Sequence, residues 1–398
     1  MKRLIYPATR AVEHAASLPG VRPIRLFPLL WPLWQVETSA EVHERQDFEV
    51  IDHFVMRAIG ECDIRERDAL VAFLNLPAGL VDRCLAFLAT IRQVSRNGPA
   101  VELTPLGRQS LSAGVRLVPT TSRLTILLER QSGRPLPAAY YGDRVTVLDT
   151  AEIEDGQLAD RSRFLQVFTT APYRPDFVGE IEQDPERADF NLPGRLQNLR
   201  VVGVREGYLP SYLVETADHR ILAYTGLAEA RDEFLEQVCT EMQLEHLIEA
   251  KRIRPPREVW QEWLAAPTPY AGGKLVESAE GWHVAMAASA VGDPPRIPPV
   301  RIGSYQFRDN LVIRVWCDDR ETRRRALLER SLGIATLPDV TSVPELEART
   351  SRLADSLDVA TVSVTEMRDH AVKMSDDRRL QRLNHLLGDR RAMPGEPF

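Results

Sequence analysis

The chain has 398 residues, 44% of them hydrophobic and 27% charged, with a formal net charge of −7 at pH 7. That length and balance fit an ordinary globular protein of two or three domains and exclude collagen-like, mostly disordered and disulfide-stapled classes. A polyanion can be held only through local basic patches, because the field of the whole molecule repels it.

Four lysines stand against forty-six arginines, the mark of a GC-rich bacterial coding sequence. Charge is unevenly spread. Residues 1–36 carry Lys2, Arg3, Arg10, Arg22 and Arg25 against Glu13, whereas 149–189 carries eleven acids against four arginines. Cys62, Cys84, Cys239 and Cys317 are far apart and form no C-x-x-C pair, which argues against a zinc ribbon and a secreted disulfide framework. The longest strongly apolar run, Leu26 to Val36, is eleven residues long and contains Pro28 and Pro32, while a spanning helix needs roughly 20 apolar residues. Met1 to Ser17 holds no apolar h-region with a cleavage site. A cytoplasmic protein without membrane contact is expected, with no cofactor.

Taken in chain order, Ile24 to Val36 mixes aromatic and branched residues with two prolines and reads as an edge strand or docking segment. From Phe48 the period becomes helical, with Ile51, Phe54, Val55, Ala58 and Ile59 on one face. Asp63 and Glu66 read as a capping pair for a second helix whose apolar side is Leu70, Val71, Phe73 and Leu74. Pro77 suits the first position of a third helix, with Leu80, Val81, Cys84, Leu85 and Leu88 in one stripe. Gln93 to Arg96 and Val101 to Thr104 flank Asn97-Gly98, a hairpin signal. Thr104-Pro105 caps and opens a short helix to Leu111.

Strands are expected at Arg123–Arg130, Arg144–Leu148, Leu199–Val204, Tyr208–Thr216 and Arg220–Tyr224, with a loop-rich stretch from Glu152 to Pro193. A helix is expected from Ala228 to Ala250, burying Phe234, Leu235, Val238, Met242 and Leu244. GDPPRIPP at 292–299 reads as a stiff linker. Beyond it a strand at Leu311–Cys317, an Arg-rich helix to Leu332, a helix near Pro344–Leu357 and a strand at Val359–Val364 give a β-α-α-β order. The expectation is a multidomain α+β protein: an N-terminal docking segment (1–47), a helical module with a hairpin (48–116), a mixed α+β middle domain (117–291) and an α/β C-terminal domain (300–398).

Three helices followed by a short hairpin resemble the winged-helix form of helix-turn-helix, with LTPLGRQSL closing the wing. The resemblance implies that the third helix enters a major groove while arginines on it and on the wing meet phosphates. Arg83, Arg92, Arg96 and Asn97 are the candidates. Residues 48–116 hold eight arginines and eight acids, so the module carries no net charge, and protein docking is the competing use. Lys251, Arg252, Arg254 and Arg257 form a second basic run and Arg378, Arg379, Arg382, Arg390 and Arg391 a third, either able to meet phosphates, with Arg378, Arg379 and Arg382 the further nucleic-acid-binding candidates.

The last thirty residues resemble a degenerate phospholipase D-type motif, with His370, Lys373, Asp377, Asn384 and Glu396 at the matching places. The resemblance implies a histidine nucleophile, a second histidine as acid, and Lys and Asn on phosphate oxygens. Lys373 stands three residues after His370 instead of two, Arg382-Leu383 replaces Gly-Ser, and only one copy is present, so catalysis would need a dimer. On a strand, that odd spacing sends the two side chains to opposite faces. His246, Glu245 and Glu249 cluster on the acidic helix, and no P-loop, G-x-S-x-G, H-E-x-x-H or dinucleotide fingerprint occurs.

The sequence therefore points to a non-catalytic nucleic-acid-associated or regulatory subunit of a bacterial complex, compatible with transcription or genome defence. DNA or RNA and other proteins are the expected partners. A dimeric phospholipase D-like nuclease and a purely structural adaptor are the alternatives, and the oligomeric state is open.

Overall fold

The computed structural model describes residues 7–154, 165–166, 172–227, 230–243, 254–278, 281–292, 294–337 and 340–388. It is a mixed α+β chain that divides into two compact units. The first unit holds residues 1–31, 143–169 and 208–398, and the second 32–142 and 170–207.

Helix α1 (Ala8–Ser17) buries Ala11, Val12 and Ala15 on one side. Strand β1 (Pro23–Gln46) follows, and its run from Leu26 to Leu33 is buried almost without interruption. The prolines suggest an edge, yet β1 lies between two neighbours in the sheet. A continuous apolar run is the signature of a strand covered on both faces, and here it outweighs the proline signal. Residues 7–46 are thus built into the chain's own fold, with α1 and Leu26 in one core with Val214, Leu222 and Tyr224.

Helices α2 (Val50–Gly60), α3 (Arg67–Leu74) and α4 (Ala78–Thr90) then pack around Val55, Met56, Leu70, Val81, Leu85 and Leu88. Phe54 and Phe73, expected inside, are 53% and 57% exposed. Asp63 does not cap α3: it takes φ 55° and pairs with Arg65, and Glu66 occupies the cap position without a side-chain bond. Strands β2 (Val94–Asn97) and β3 (Ala100–Leu103) form the hairpin, with Asn97 opposite Ala100. Its two-residue loop is Gly98-Pro99, one position later than the sequence suggested. Gly98 supplies φ 62° at the first central position and proline a fixed negative φ at the second, the pattern of a type II′ turn. Thr104 accepts a hydrogen bond from the Gly107 N–H and caps α5 (Pro105–Ala113). Strand β4 (Arg116–Glu129) runs antiparallel to β1 from Leu33 to Gln46.

Arg144–Leu148, expected as a strand, makes only the single bridge of Leu148 to Tyr208. Short elements follow: α6 (Thr150–Glu154), β5 (Leu165–Gln166) and α7 (Phe177–Gln183). The strands expected at 199–204 and 208–216 are one, β6 (Leu196–Thr216), paired with β7 (Ile221–Tyr224). Gly207 looks like a break but serves close approach, since a Cβ there would lie 2.7 Å from Gln35 Nε2. Helix α8 (Glu233–Glu241) is capped by Asp232 and ends before Met242, which is 41% exposed. The remainder of the long helix expected there, with Leu244, lies outside the described residues.

Helix α9 (Pro256–Ala265), strands β8 (Lys274–Ser278), β9 (Gly281–Ala285), β10 (Tyr305–Arg308) and β11 (Leu311–Trp316), and helices α10 (Arg320–Ala335), α11 (Val343–Ser356), α12 (Val364–Lys373) and α13 (Asp377–Leu386) complete the first unit. Its sheet order is β7-β6-β1-β11-β9-β8, with β10 also on β11; the β9–β11 and β1–β5 pairings are parallel. The proline-rich stretch read as a linker is packed: Ile297 is fully buried, and the N–H groups of Arg296 and Ile297 both donate to the Ala290 carbonyl. The strand expected at Val359–Val364 is absent. Ser363 and Glu366 form a reciprocal capping box that commits Val364 to the start of α12. Among the described residues no helix is long and apolar enough to cross a membrane.

Candidate functional site

Helix α4 and the β2–β3 hairpin carry the first set of candidate residues. The apolar stripe of α4 turns inward, which leaves Arg83 exposed on the outer side. The hairpin is tied down beside its turn: Val101 N–H donates to the Arg65 carbonyl and Arg67 N–H to that of Pro99. Arg96 and Asn97 stand exposed near its tip.

Zero net charge in this region conceals an uneven arrangement. Arg67 holds Asp82 at 2.6 Å and Asp68 at 2.5 Å, Arg65 holds Asp63 and Glu102, Arg57 holds Glu61, and Arg116 holds Asp52. The Arg67 guanidinium keeps the Asp82 carboxyl below the usual carboxylate range, chiefly by hydrogen bonding, with Arg96 adding a weaker attraction. Six of the eight acids are thereby bound to four arginines. Arg83 makes no side-chain hydrogen bond or ion pair among the described residues, and Arg96 has only its long-range attraction to Asp82. Arg92 is engaged otherwise, with a 2.9 Å ion pair to Glu41. It belongs to the unit's internal network.

A buried group at the back of α4 was not apparent from the sequence. Arg116, at the start of β4, donates to Asp52 at 3.0 Å and to Gln46 at 2.9 Å, and lies 5.2 Å from the centre of the Phe87 ring. Cys84 donates to the other Asp52 oxygen at 3.1 Å. Burial, reinforced by Asp52, pushes the Cys84 thiol well above its ordinary range, so it stays protonated. Sixty-four positions separate Asp52 from Arg116, and no local pattern links them.

The C-terminal candidates occupy two helices. His370 and Lys373 lie three apart on α12, so they share a helix side, unlike the strand geometry expected from the sequence. They face different surroundings. The His370 Nε2 is buried without a hydrogen-bond partner, whereas Lys373 is exposed. Burial lowers the His370 pKa, Glu329 opposes that shift, and Arg325 and Lys373 reinforce it. Asp377 is exposed at the start of α13 and Asn384 is half-buried near its end. No hydrogen bond joins any of these four side chains to another, and Glu396 lies outside the described residues.

Of the basic run on α13, Arg378 is exposed. Arg379 pairs with Asp376 at 3.2 Å. Arg382 donates to the carbonyls of Ala335 at 3.1 Å and Val340 at 2.7 Å, so it holds the C-terminal end of α10 and is not presented outward. In the other basic run, Arg254 pairs with Glu262 and Asp309, and Arg257 with Glu277. Lys251, Arg252, Glu245, His246, Glu249, Arg390 and Arg391 lie outside the described residues. Among those described, no three His, Cys, Asp or Glu side chains are grouped to hold a metal.

Compared with known proteins, the chain matches no family model, no curated protein and no solved structure.

Proposed function

We propose that the chain is a non-catalytic, nucleic-acid-associated regulatory protein in which residues 48–116 act as a winged helix. In this reading α4 and the hairpin tip meet a phosphate backbone while other surfaces engage protein partners. One observation carries the reading: internal pairing consumes most of the module's acids yet leaves Arg83 and Arg96 exposed without an ion pair. Affinity for a polyanion follows how many phosphates are neutralised locally, and total charge is secondary. With two such contacts the binding is weak by itself, as suits a subunit that joins a larger assembly.

The test is duplex DNA binding by the full chain, followed by fluorescence anisotropy across a salt series. A wild-type slope of log affinity against log salt near −2 is expected, and Arg83→Ala and Arg96→Ala should each shorten it by about 1. Arg92→Ala should leave the slope unchanged, because its charge is already spent on Glu41. Binding without salt dependence, or identical slopes in all variants, sinks the proposal.

A further inference from the structure

The first unit contains a groove of about 1250 Å³ bounded by α1, the following loop, β10–β11, α10 and α11. Sites for small ligands commonly run from about 300 to 1,000 Å³, so this one has room for a ligand of nucleotide size with its water. Its lining holds seven arginines against four carboxylates, in a chain that is negative overall. The arginines come from separate elements: Arg10 from α1, Arg22 from the loop, Arg314 from β11, Arg330 from α10, Arg349 and Arg352 from α11, and Arg379 from α13.

Three of the four carboxylates are already engaged. Glu13 accepts from Arg330 at 2.6 Å, Glu329 from Arg325 at 3.3 Å, and Asp358 from Arg323 at 3.3 Å. Arg22 has no side-chain partner among the described residues, and Arg352 reaches only the Ala348 carbonyl, at 3.4 Å. Arg314 is held in place, with its guanidinium 4.5 Å from the Trp316 ring centre and a hydrogen bond to the Ser356 carbonyl. Arg349 and Arg379 are paired with Glu345 and Asp376, which leaves the fixed Arg314 and the exposed Arg22 and Arg352, the last two without an ion pair among the described residues, to meet a ligand that offers several anionic oxygens.

Gly333 supplies an independent indication. It lies within α10 and lines the groove, and a Cβ placed on it would meet nothing within 4 Å. Neither packing nor a positive φ demands glycine there, and glycine is the poorest helix former after proline. Its effect is to leave bare backbone on the wall where a ligand would approach.

We infer that this groove binds a small phosphorylated ligand carrying two or three phosphates, held by Arg22, Arg314 and Arg352. The inference does not rest on the winged-helix reading. Its test is calorimetry on the full chain with inorganic tripolyphosphate, ATP and a 5′-triphosphorylated oligonucleotide. Tripolyphosphate and ATP should both bind. The exposed pair Arg22→Ala/Arg352→Ala should weaken both at least tenfold while leaving the salt slope for duplex DNA untouched. Gly333→Leu should abolish binding while the unliganded protein melts no lower than wild type. Absence of binding at millimolar ligand, or equal affinity in the arginine variant, overturns the inference. So does binding confined to the oligonucleotide, which would assign the groove to a nucleic-acid end.

Discussion

The buried Asp52–Arg116 pair has side-chain exposures of 9% and 10%, and water cannot replace either partner. Removing one member of such a pair leaves an uncompensated charge, a loss of about 3–5 kcal/mol, whereas replacing both with apolar groups is often neutral. Asp52→Ala should therefore lower stability by about 3 kcal/mol in urea denaturation, and Asp52→Ala/Arg116→Met should recover a large part of it. If the double variant is as unstable as the sum of the singles, the pair is not coupled as its geometry indicates. His14 and His370 supply a pH signature. His14 contacts the Tyr224 hydroxyl at 3.1 Å, and burial, then Arg231 and Arg352, lower its pKa. His370 is lowered mainly by burial too. With folded values below the ordinary imidazole pKa of about 6.5, the unfolded chain binds more protons below that pH. Stability from these two residues is complete above about pH 7 and declines as pH falls through 6.5 towards the folded values. Melting followed from pH 7.5 to 5.5 should show that decline, and His14→Asn/His370→Asn should flatten it.

Elements with strong local signals were legible in the sequence. The Thr104-Pro105 cap stands where its residue types indicate, and α2 and α4 follow their 3.6-residue periods. Phe54 and Phe73 went astray because periodicity marks a stripe without fixing its width, and both sit at its rim with more than half their surface exposed. β1 was misread because a proline rule was applied to a segment whose burial on both faces decides the matter. The candidate site divides in the same way. Arg83 and Arg96 were legible as exposed positions, but their lack of ion pairs depends on Arg67 reaching Asp82 from another helix. The groove was illegible because its arginines come from six separate elements. A close approach of α5 gives the prediction at this scale. A Cβ on Gly107 would lie 2.0 Å from the Gln93 carbonyl oxygen, which also accepts the Thr104 N–H. Backbone at that distance cannot yield without moving the helix, so Gly107→Ala should cost about 2 kcal/mol, within the usual range for overpacking. Thr104→Ala, which removes the cap and the hydroxyl's bond to the Arg92 carbonyl but forces no backbone apart, should cost about 1 kcal/mol. Thermal melts that rank the two variants the other way would contradict the close contact.

Each unit of the whole molecule has its own apolar core, and the two differ in the probes they contain. Leu85 is fully buried among α2, α3, α4 and the hairpin in the second unit, and Leu346 is fully buried in the first among Val259, Trp260, Ile313 and Leu327. Of the six tryptophans, Trp31, Trp260, Trp263, Trp282 and Trp316 belong to the first unit and Trp34 alone to the second. Tryptophan fluorescence therefore reports mainly on the first unit, while far-ultraviolet circular dichroism reports on helices in both. Truncating a buried leucine to alanine removes transfer free energy and leaves a cavity, about 2–5 kcal/mol in all. Where a chain has more than one core, unfolding need not be all-or-none, and different probes need not coincide. Leu346→Ala should lower the fluorescence midpoint strongly. Leu85→Ala should leave that midpoint within about 1 °C of wild type, because a cavity in one cooperative unit is felt there first, while an earlier loss of helical signal appears in circular dichroism. Equal displacement of both signals by both substitutions would mean that the two cores unfold as one, and that the division of the chain has no thermodynamic counterpart.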